Sequence, residues 1–309
     1  MITTVTLNPM LDKTVYVESL ERGKIHRAAR MEMVVGGKGI NVSRQLKQLG
    51  LKTIATGFLG GEIGSIVQRL LRGEWIEHDF VITDAVTREG VTYREADGVC
   101  TSVFEPPPRI EVKSVHELNS KLNVLAPKST WMVCSGSSPG FEADDLFYEA
   151  IVIAHRAGIP SVLDSYGHAF DLALKAVPAL VKQNKHEFET TFACQLQTDG
   201  EFLSGLDLLL SRGIQYCIIT NGANPCYAAV QGHYWKVTAP RVPTVNATGS
   251  GDAMIAGILY GFRQGWKFER CLLFGVAGGA ANARKWEIAN SGLQEIQDLE
   301  SQIVVQRLR

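Results

Sequence analysis

Asp252 follows a glycine-rich stretch, Asn246-Ala247-Thr248-Gly249-Ser250-Gly251, and precedes an apolar run beginning Ala253-Met254-Ile255. Glycines let the backbone turn so that several N–H groups aim at one spot. The helix predicted after the turn points the positive end of its dipole there, and the two features together hold an anion. A carboxylate beside an anion site suits phosphoryl transfer. The amides of Gly249, Ser250 and Gly251 would steady the transferring group, and Asp252 would take the proton of an attacking hydroxyl. Aspartate is also a common N-cap, so a plain capped helix fits these residues equally well.

A second glycine cluster reads Val35-Gly36-Gly37-Lys38-Gly39-Ile40-Asn41. Its glycines allow close approach of a ligand, and Lys38 and Asn41 offer polar contacts. It is not a Walker A loop, because Gly39 follows the lysine and Glu32 stands at the first glycine position. Neither cluster satisfies G-x-G-x-x-G; after Gly249-Ser250-Gly251 the last glycine is replaced by Met254. Gly136-Ser137-Ser138-Pro139-Gly140 matches the G-x-S-x-G elbow of hydrolases, but that elbow needs a backbone N–H after the serine and Pro139 has none. A polar loop that touches substrate through Ser137 is the better reading. Lys182-Gln183-Asn184-Lys185-His186-Glu187 follows an apolar strand. Asn184 and Glu187 could face a magnesium-bound phosphate through water, since magnesium keeps its waters and uses few carboxylates. A helix start with a solvated glutamate is the simpler alternative.

The surroundings narrow the class. Thirty-one basic and 32 acidic residues give a formal charge of -1, which supplies no reason to expect nucleic acid or an anionic membrane as partner. Hydrophobic residues at 45% and charged residues at 20% are ordinary for a soluble enzyme. Met1-Ile2-Thr3-Thr4-Val5 reads as a first strand rather than a leader, and no apolar stretch has membrane-spanning length. The six cysteines include no C-x-x-C pair and read as reduced thiols of a cytoplasmic protein. The seven histidines are dispersed, and none has partners at metal-ligand spacing.

Short apolar runs at 3–7, 53–58, 131–135, 161–164, 180–182 and 217–220 read as strands. Helix-like stretches at 40–48, 63–71, 144–157, 169–176 and 203–212 lie between them. Gly50, Gly73, Gly158 and Gly213 follow helices, where glycine suits a left-handed cap. The alternation predicts an α/β fold: a doubly wound, mainly parallel sheet flanked by helices, with ligands at the carboxyl ends of its strands. Residues 12–35 and 86–104 break the rhythm. They read as short strands without helices, and predict either a small extra sheet acting as a lid or two surface hairpins.

In this order the segments resemble the PfkB branch of the ribokinase superfamily, from Thr6-Leu7-Asn8-Pro9-Met10-Leu11-Asp12 to the alanine-rich helix at 276–283. The forms around Lys38 and Val245-Asn246 are similar to the subgroup acting on phosphorylated ketohexoses, the 1-phosphofructokinases and tagatose-6-phosphate kinases. The resemblance implies a single ribokinase-like kinase domain over 1–309 with a small β lid, ATP and Mg2+ as cofactors, and a sugar phosphate as substrate. It also implies a homodimer through the lid. Residue by residue it implies Asp252 as base and Gly249, Ser250 and Gly251 as anion hole. Asp12, Gly37, Lys38, Asn41 and Ser137 would meet the sugar, and Arg27 and Arg88 its phosphate. Lys182, Asn184, Thr220, Gly222, Thr248 and Asn282 would meet the nucleotide, and Asn184 with Glu187 the magnesium through water. The chain departs from the pattern at Gln183 (usually proline), at Gly90 (usually asparagine), at Ser165-Tyr166, in the short loop 135–140 and at 105–109. Most of these lie on the sugar side. A kinase of a neutral sugar or nucleoside, and a non-catalytic sugar-phosphate sensor, are the rival readings.

Overall fold

Ile2–Thr6 and Ser161–Asp164 are buried at every residue, which only a strand covered on both faces requires. A computed structural model of the chain describes residues 1–308. Its elements in chain order are β1 (Ile2–Thr6), β2 (Met10–Tyr16), β3 (Arg30–Gly36), α1 (Lys38–Gln48), β4 (Thr53–Gly60), α2 (Gly61–Gly73), β5 (Val81–Thr83), β6 (Arg88–Arg94) and β7 (Cys100–Phe104). There follow α3 (Val112–Leu125), β8 (Trp131–Ser135), α4 (Leu146–Arg156), β9 (Ser161–Asp164), α5 (Gly167–Leu174), β10 (Leu180–Asn184), α6 (Lys185–Phe192) and α7 (Asp199–Ser211). The chain ends with β11 (Tyr216–Asn221), β12 (Asn224–Val230), β13 (His233–Thr238), α8 (Ser250–Arg263), α9 (Phe268–Ala283), α10 (Leu293–Glu300) and β14 (Val304–Arg307).

Ten strands form one sheet in the order β14-β13-β12-β11-β10-β9-β8-β1-β4-β5. Pairing is parallel from β5 to β11 and antiparallel from β11 to β14. Helices cover both faces. Leu122, Phe147, Phe170, Phe188 and Leu206 build the core on one side, and Val42, Leu46, Ile255, Leu259 and Leu272 the core on the other. The mainly parallel, doubly wound sheet is therefore as expected. Register aligns Ser135 with Asp164 and Asn184 with Thr220, so chemically useful residues collect at the carboxyl ends of the strands.

The two irregular segments make one four-stranded sheet, β3-β2-β6-β7. It consists of two antiparallel hairpins joined by the parallel pairing of β2 with β6, so the extra sheet and the pair of hairpins are one object. Register places Met10, Asp12, Thr14 and Tyr16 on one face with Arg88, Gly90, Thr92 and Arg94.

The differences from expectation sit mostly at ends. Gly50, Gly158 and Gly213 take positive φ as anticipated, but Gly73 lies inside α2 and Trp75 turns the chain with φ 55°. The β12–β13 hairpin, β14, α3 and α10 were not anticipated, and α6 takes the helix-start alternative at Asn184. β14 is an exposed edge strand, while β12 and β13 lie inside the sheet and bury residues in runs rather than in alternation, so neither shows a period of two.

Candidate active site

α8 begins in a left-handed turn. Gly249 has φ 80°, and a Cβ there would come within 2.4 Å of Ile288 Cγ2, so glycine is required on both counts. Ser250 gives its N–H to Ala247 O at 3.2 Å. The amides of Gly249, Gly251 and Asp252 are not taken by any acceptor among the described residues. Asn282, on α9, donates to Thr248 O (2.8 Å) and Ser250 Oγ (3.1 Å) and accepts from the Ala289 amide (2.6 Å). Thr248 and Asn282 thus brace the turn.

Asp252 stands in the first turn of α8 with 4% of its surface exposed. Its Oδ2 accepts from Asn41 Nδ2 at 2.8 Å. Asn41 projects from α1, and its own Oδ1 accepts from Arg44 Nη1 at 2.7 Å. Arg44 is held in turn by Val35 O and by the Glu74 carboxylate. The arginine therefore dictates which way the Asn41 amide faces.

Behind this pair lies a charge cluster. Lys38, at the start of α1, places Nζ 2.8 Å from Glu187 Oε1 and 3.3 Å from Asp164 Oδ1. Lys182 Nζ lies 3.1 Å from the same Asp164 oxygen. Gly251 is glycine partly for this lysine, since a Cβ there would sit 2.6 Å from Lys182 Nζ. Lys182 is thus paired with Asp164 and stands directly beside the glycine turn.

Burial pushes the Asp252 carboxyl up to about 7, and the nearby Asp164 charge adds to the rise. Burial alone would raise Asp164 as well, yet Lys182 and Lys38 hold it below the usual carboxylate range. Desolvation works against the charge on Lys38, but Asp164, Glu187 and Asp252 together raise its affinity for a proton. Asp164 is thus a fixed anion, and Asp252 is the member of the cluster that titrates near neutrality.

The small sheet and the β1–β2 connection supply a second group of residues. Asp12 Oδ1, Arg88 Nε and Asn8 Oδ1 are buried polar atoms that find no hydrogen-bond partner. Burial raises the Asp12 carboxyl and lowers the Arg88 guanidinium, the direction expected for charges awaiting a counterpart. Arg88 reaches Asn8 O and Glu105 O only at 3.5 Å. Asn8 Nδ2 donates to Ser137 Oγ at 3.1 Å, which draws the loop after β8 into this group. Ser138, the would-be hydrolase serine, merely accepts the Gly140 amide. Gly90 lies beneath Phe104, where a Cβ would meet the ring at 2.6 Å. The aromatic ring fills the place of the asparagine that the resemblance anticipates. Gly37 caps α1. Arg27 is exposed on the loop between β2 and β3 and does not line the cleft.

A cleft of about 930 Å³ separates the small sheet from the body, with Asp12, Tyr16, Arg94 and Phe104 on one wall and Asn246, Thr248 and Trp286 on the other. At the opposite end of the charge cluster, Asn184 and Glu187 form a reciprocal cap on α6. Glu187 N donates to Asn184 Oδ1 (2.8 Å) and Asn184 N to Glu187 Oε2 (2.9 Å). Thr220 is the register partner of Asn184, and Gly222 turns the chain after β11 with φ 60°. Gln183, where proline is usual, ties β10 to Ser165 O and Thr191 Oγ1. No cluster of three or more acidic, histidine or cysteine side chains able to hold a metal exists among the described residues. Both Glu187 oxygens are already engaged by Lys38 and the cap, so this donor set fits a magnesium held by phosphates and reached through water.

Asp164 and Arg44 were missed as site residues in the sequence. Asp164 ends an apolar strand, a position that itself was a usable signal. Arg44 sits mid-helix, where an arginine usually faces water, and nothing local marks it as buried. No described helix is long and apolar enough to cross a membrane.

Comparison with known proteins places the whole chain. The chain is 31% identical over 307 residues to a 1-phosphofructokinase of Borreliella burgdorferi, covering 99% of this chain and 98% of that one. It is 28% identical over 308 residues to a tagatose-6-phosphate kinase of Staphylococcus epidermidis, covering 99% of both. Its fold matches phosphofructokinase-2 from Escherichia coli with a TM-score of 0.91 at 23% identity, covering 97% of this chain and 98% of that chain. It matches Arabidopsis thaliana ribokinase with a TM-score of 0.77 at 16% identity, again covering 97% and 98%. The family model for pfkB family carbohydrate kinases matches residues 5–294. The chain belongs to that family and is a sugar kinase, transferring phosphate to a hydroxyl.

Proposed function

We propose that this kinase transfers the terminal phosphoryl group of ATP to a hydroxyl of a ketohexose monophosphate, with fructose 1-phosphate and tagatose 6-phosphate the leading acceptors. The observation that carries the reading is the unpartnered Asp12 Oδ1 and Arg88 Nε on one face of the small sheet, with Asp12 across the cleft from Thr248 of the glycine turn. A neutral sugar needs hydroxyl acceptors such as Asp12. It does not need a half-buried guanidinium with an unused Nε, whereas a phosphate takes that donor and forks across its oxygens.

In this mechanism Asp12, Asn8 and Ser137 orient the acceptor, and Arg88 anchors its phosphate. Asp252, ionised, accepts the proton of the attacking hydroxyl, and Asn41 keeps the carboxylate turned toward it. The amides of Gly249 and Gly251 stabilise charge developing on the transferring group, and Lys38 adds a fixed positive charge at its flank. Asn184 and Glu187 would hold a magnesium ion through water, and that ion would neutralise charge on the nucleotide phosphates. Thr220 and Gly222 border the nucleotide, and the small sheet serves as the lid. Arg27, exposed on the lid loop, reaches a phosphate only when that loop or a second copy brings it in. A homodimer through the lid accords with its outward register face, which exposes Met31, Met33 and Val103.

ADP release from purified protein and Mg-ATP, measured against fructose 1-phosphate, fructose 6-phosphate, tagatose 6-phosphate, fructose, ribose and adenosine, tests the reading. Strong turnover on one phosphorylated ketose names the acceptor. Turnover only on a neutral acceptor removes Arg88 from its role. Silence on all six, with sugar-phosphate binding intact, makes the protein a sensor.

A further inference from the structure

Residues 284–292 join α9 to α10 and touch two distant parts of the molecule. On one side, Trp286 packs under the small sheet. Arg94 Cζ lies 4.0 Å from the Trp286 ring centroid, and the Tyr16 ring lies 6.4 Å away. Arg94 also stands 5.8 Å over Tyr16, and Arg30 Cζ lies 3.9 Å from the Tyr16 centroid. Tyr16 donates its hydroxyl to Glu32 at 2.8 Å, and Glu32 pairs with Arg30 at 3.1 Å. Strand register puts Arg30, Tyr16 and Arg94 in one row across three strands. The row is a ladder of alternating guanidinium and ring that leaves the sheet and ends on Trp286 of the body.

On the other side, the same loop braces the glycine turn. Trp286 O accepts from Asn246 Nδ2 at 3.0 Å, and Asn246 Oδ1 takes the Thr248 amide at 3.0 Å. Ile288 fills the space against Gly249. Ala289, buried and at φ 55°, gives its amide to Asn282, which in turn holds Thr248 O and Ser250 Oγ.

We propose that Trp286 and Arg94 are positioning residues. Their stack converts engagement of the small sheet into alignment of the turn at 249–251, so the turn is fully set only when the sheet is closed against the body. Loss of a cation–ring contact of this kind shifts a local equilibrium by about fivefold to tenfold. The inference rests on reading the turn as the anion site and the sheet as a lid.

The test uses the full chain with Arg94→Gln, Trp286→Leu and the double substitution. Hydrogen exchange of amides 247–252 is followed without ligand, and kcat is measured on the best acceptor. Exchange in both single variants is expected to rise about tenfold there while α4 stays at the wild-type rate, and kcat to fall by a similar factor. The double variant should be no worse than Trp286→Leu alone, because the two side chains act as one contact. Wild-type exchange and kcat in Arg94→Gln overturn the proposal, since a purely local role for Trp286 leaves that variant untouched. Additive losses in the double variant overturn it as well. Should Trp286→Leu fail to fold, Arg94→Gln decides alone. Exchange is read without substrate, so a wrong acceptor assignment silences kcat on sugar phosphates and leaves this readout standing.

Discussion

The cluster around Asp252 and the group around Asp12 and Arg88 are built on opposite principles. On the body side, the side chains around Asp252 are satisfied: Asn41, Arg44, Lys38, Asp164 and Lys182 each find a partner, and the groups left over are the backbone amides of the glycine turn. On the sheet side, Asp12, Arg88 and Asn8 keep buried atoms with none. An unmade buried hydrogen bond costs about 1–3 kcal/mol, and three such atoms gathered in one place mark a spot that a ligand can complete. The side chains that flank the transferring group are held in advance. The acceptor wall is left for its ligand to finish, and binding recovers the cost of the orphaned atoms.

The largest break in that contrast is Asp252→Asn. Loss of the base is expected to lower kcat by about 10²–10⁴ with acceptor binding retained. Because the folded carboxyl is raised, its stabilising contribution is present below the unfolded value and lost as pH climbs toward about 7. The asparagine variant should therefore melt above wild type at pH 8, and the gap should close near pH 4. Equal melting at both pH values would remove the raised carboxyl from the account. In wild type, kcat/KM should rise with pH through about 7 as Asp252 ionises.

Arg88→Ala attacks the unfinished wall. KM for a phosphorylated acceptor should rise on the order of 10–100-fold, with kcat changed far less. An unchanged KM would mean that Arg88 anchors no phosphate. Asn41→Ala sharpens the other side. The hydrogen bond that favours the Asp252 carboxylate disappears, and the pH limb of kcat/KM should move upward by about half a unit to one unit. The smallest effect belongs to Gly90→Ala, which presses on Phe104 and should raise acceptor KM by about fivefold while leaving the KM for ATP alone.

This contrast also explains what could be read in the sequence. The glycine turn before Asp252 and the cluster around Lys38 announce themselves because backbone geometry demands particular residue types. The alternation of buried strands and helices showed the sheet for the same reason. Asp164 did not announce itself as a site residue, because its role comes from two lysines that arrive from positions 38 and 182. Arg44 and Trp286 were silent likewise: their partners lie on other elements, and no local pattern carries a contact across the fold. Gly73 was misread because a glycine near a helix end only permits a left-handed turn, and here Trp75 made it.

The charge cluster has one more consequence, in the count of protons. Asp164, Asp252 and Glu187 set three carboxylates against the two ammonium groups of Lys38 and Lys182. With every group charged the cluster is one unit negative, and a proton on Asp252 cancels it. Below pH 7 the resting enzyme therefore stores a proton at the atom that must later receive one. An acceptor hydroxyl that docks as a donor needs the carboxylate bare, so its arrival expels the stored proton to solvent. Binding heats will then depend on the buffer in which they are measured, and a drop in surrounding acidity will ready the enzyme before any substrate has arrived.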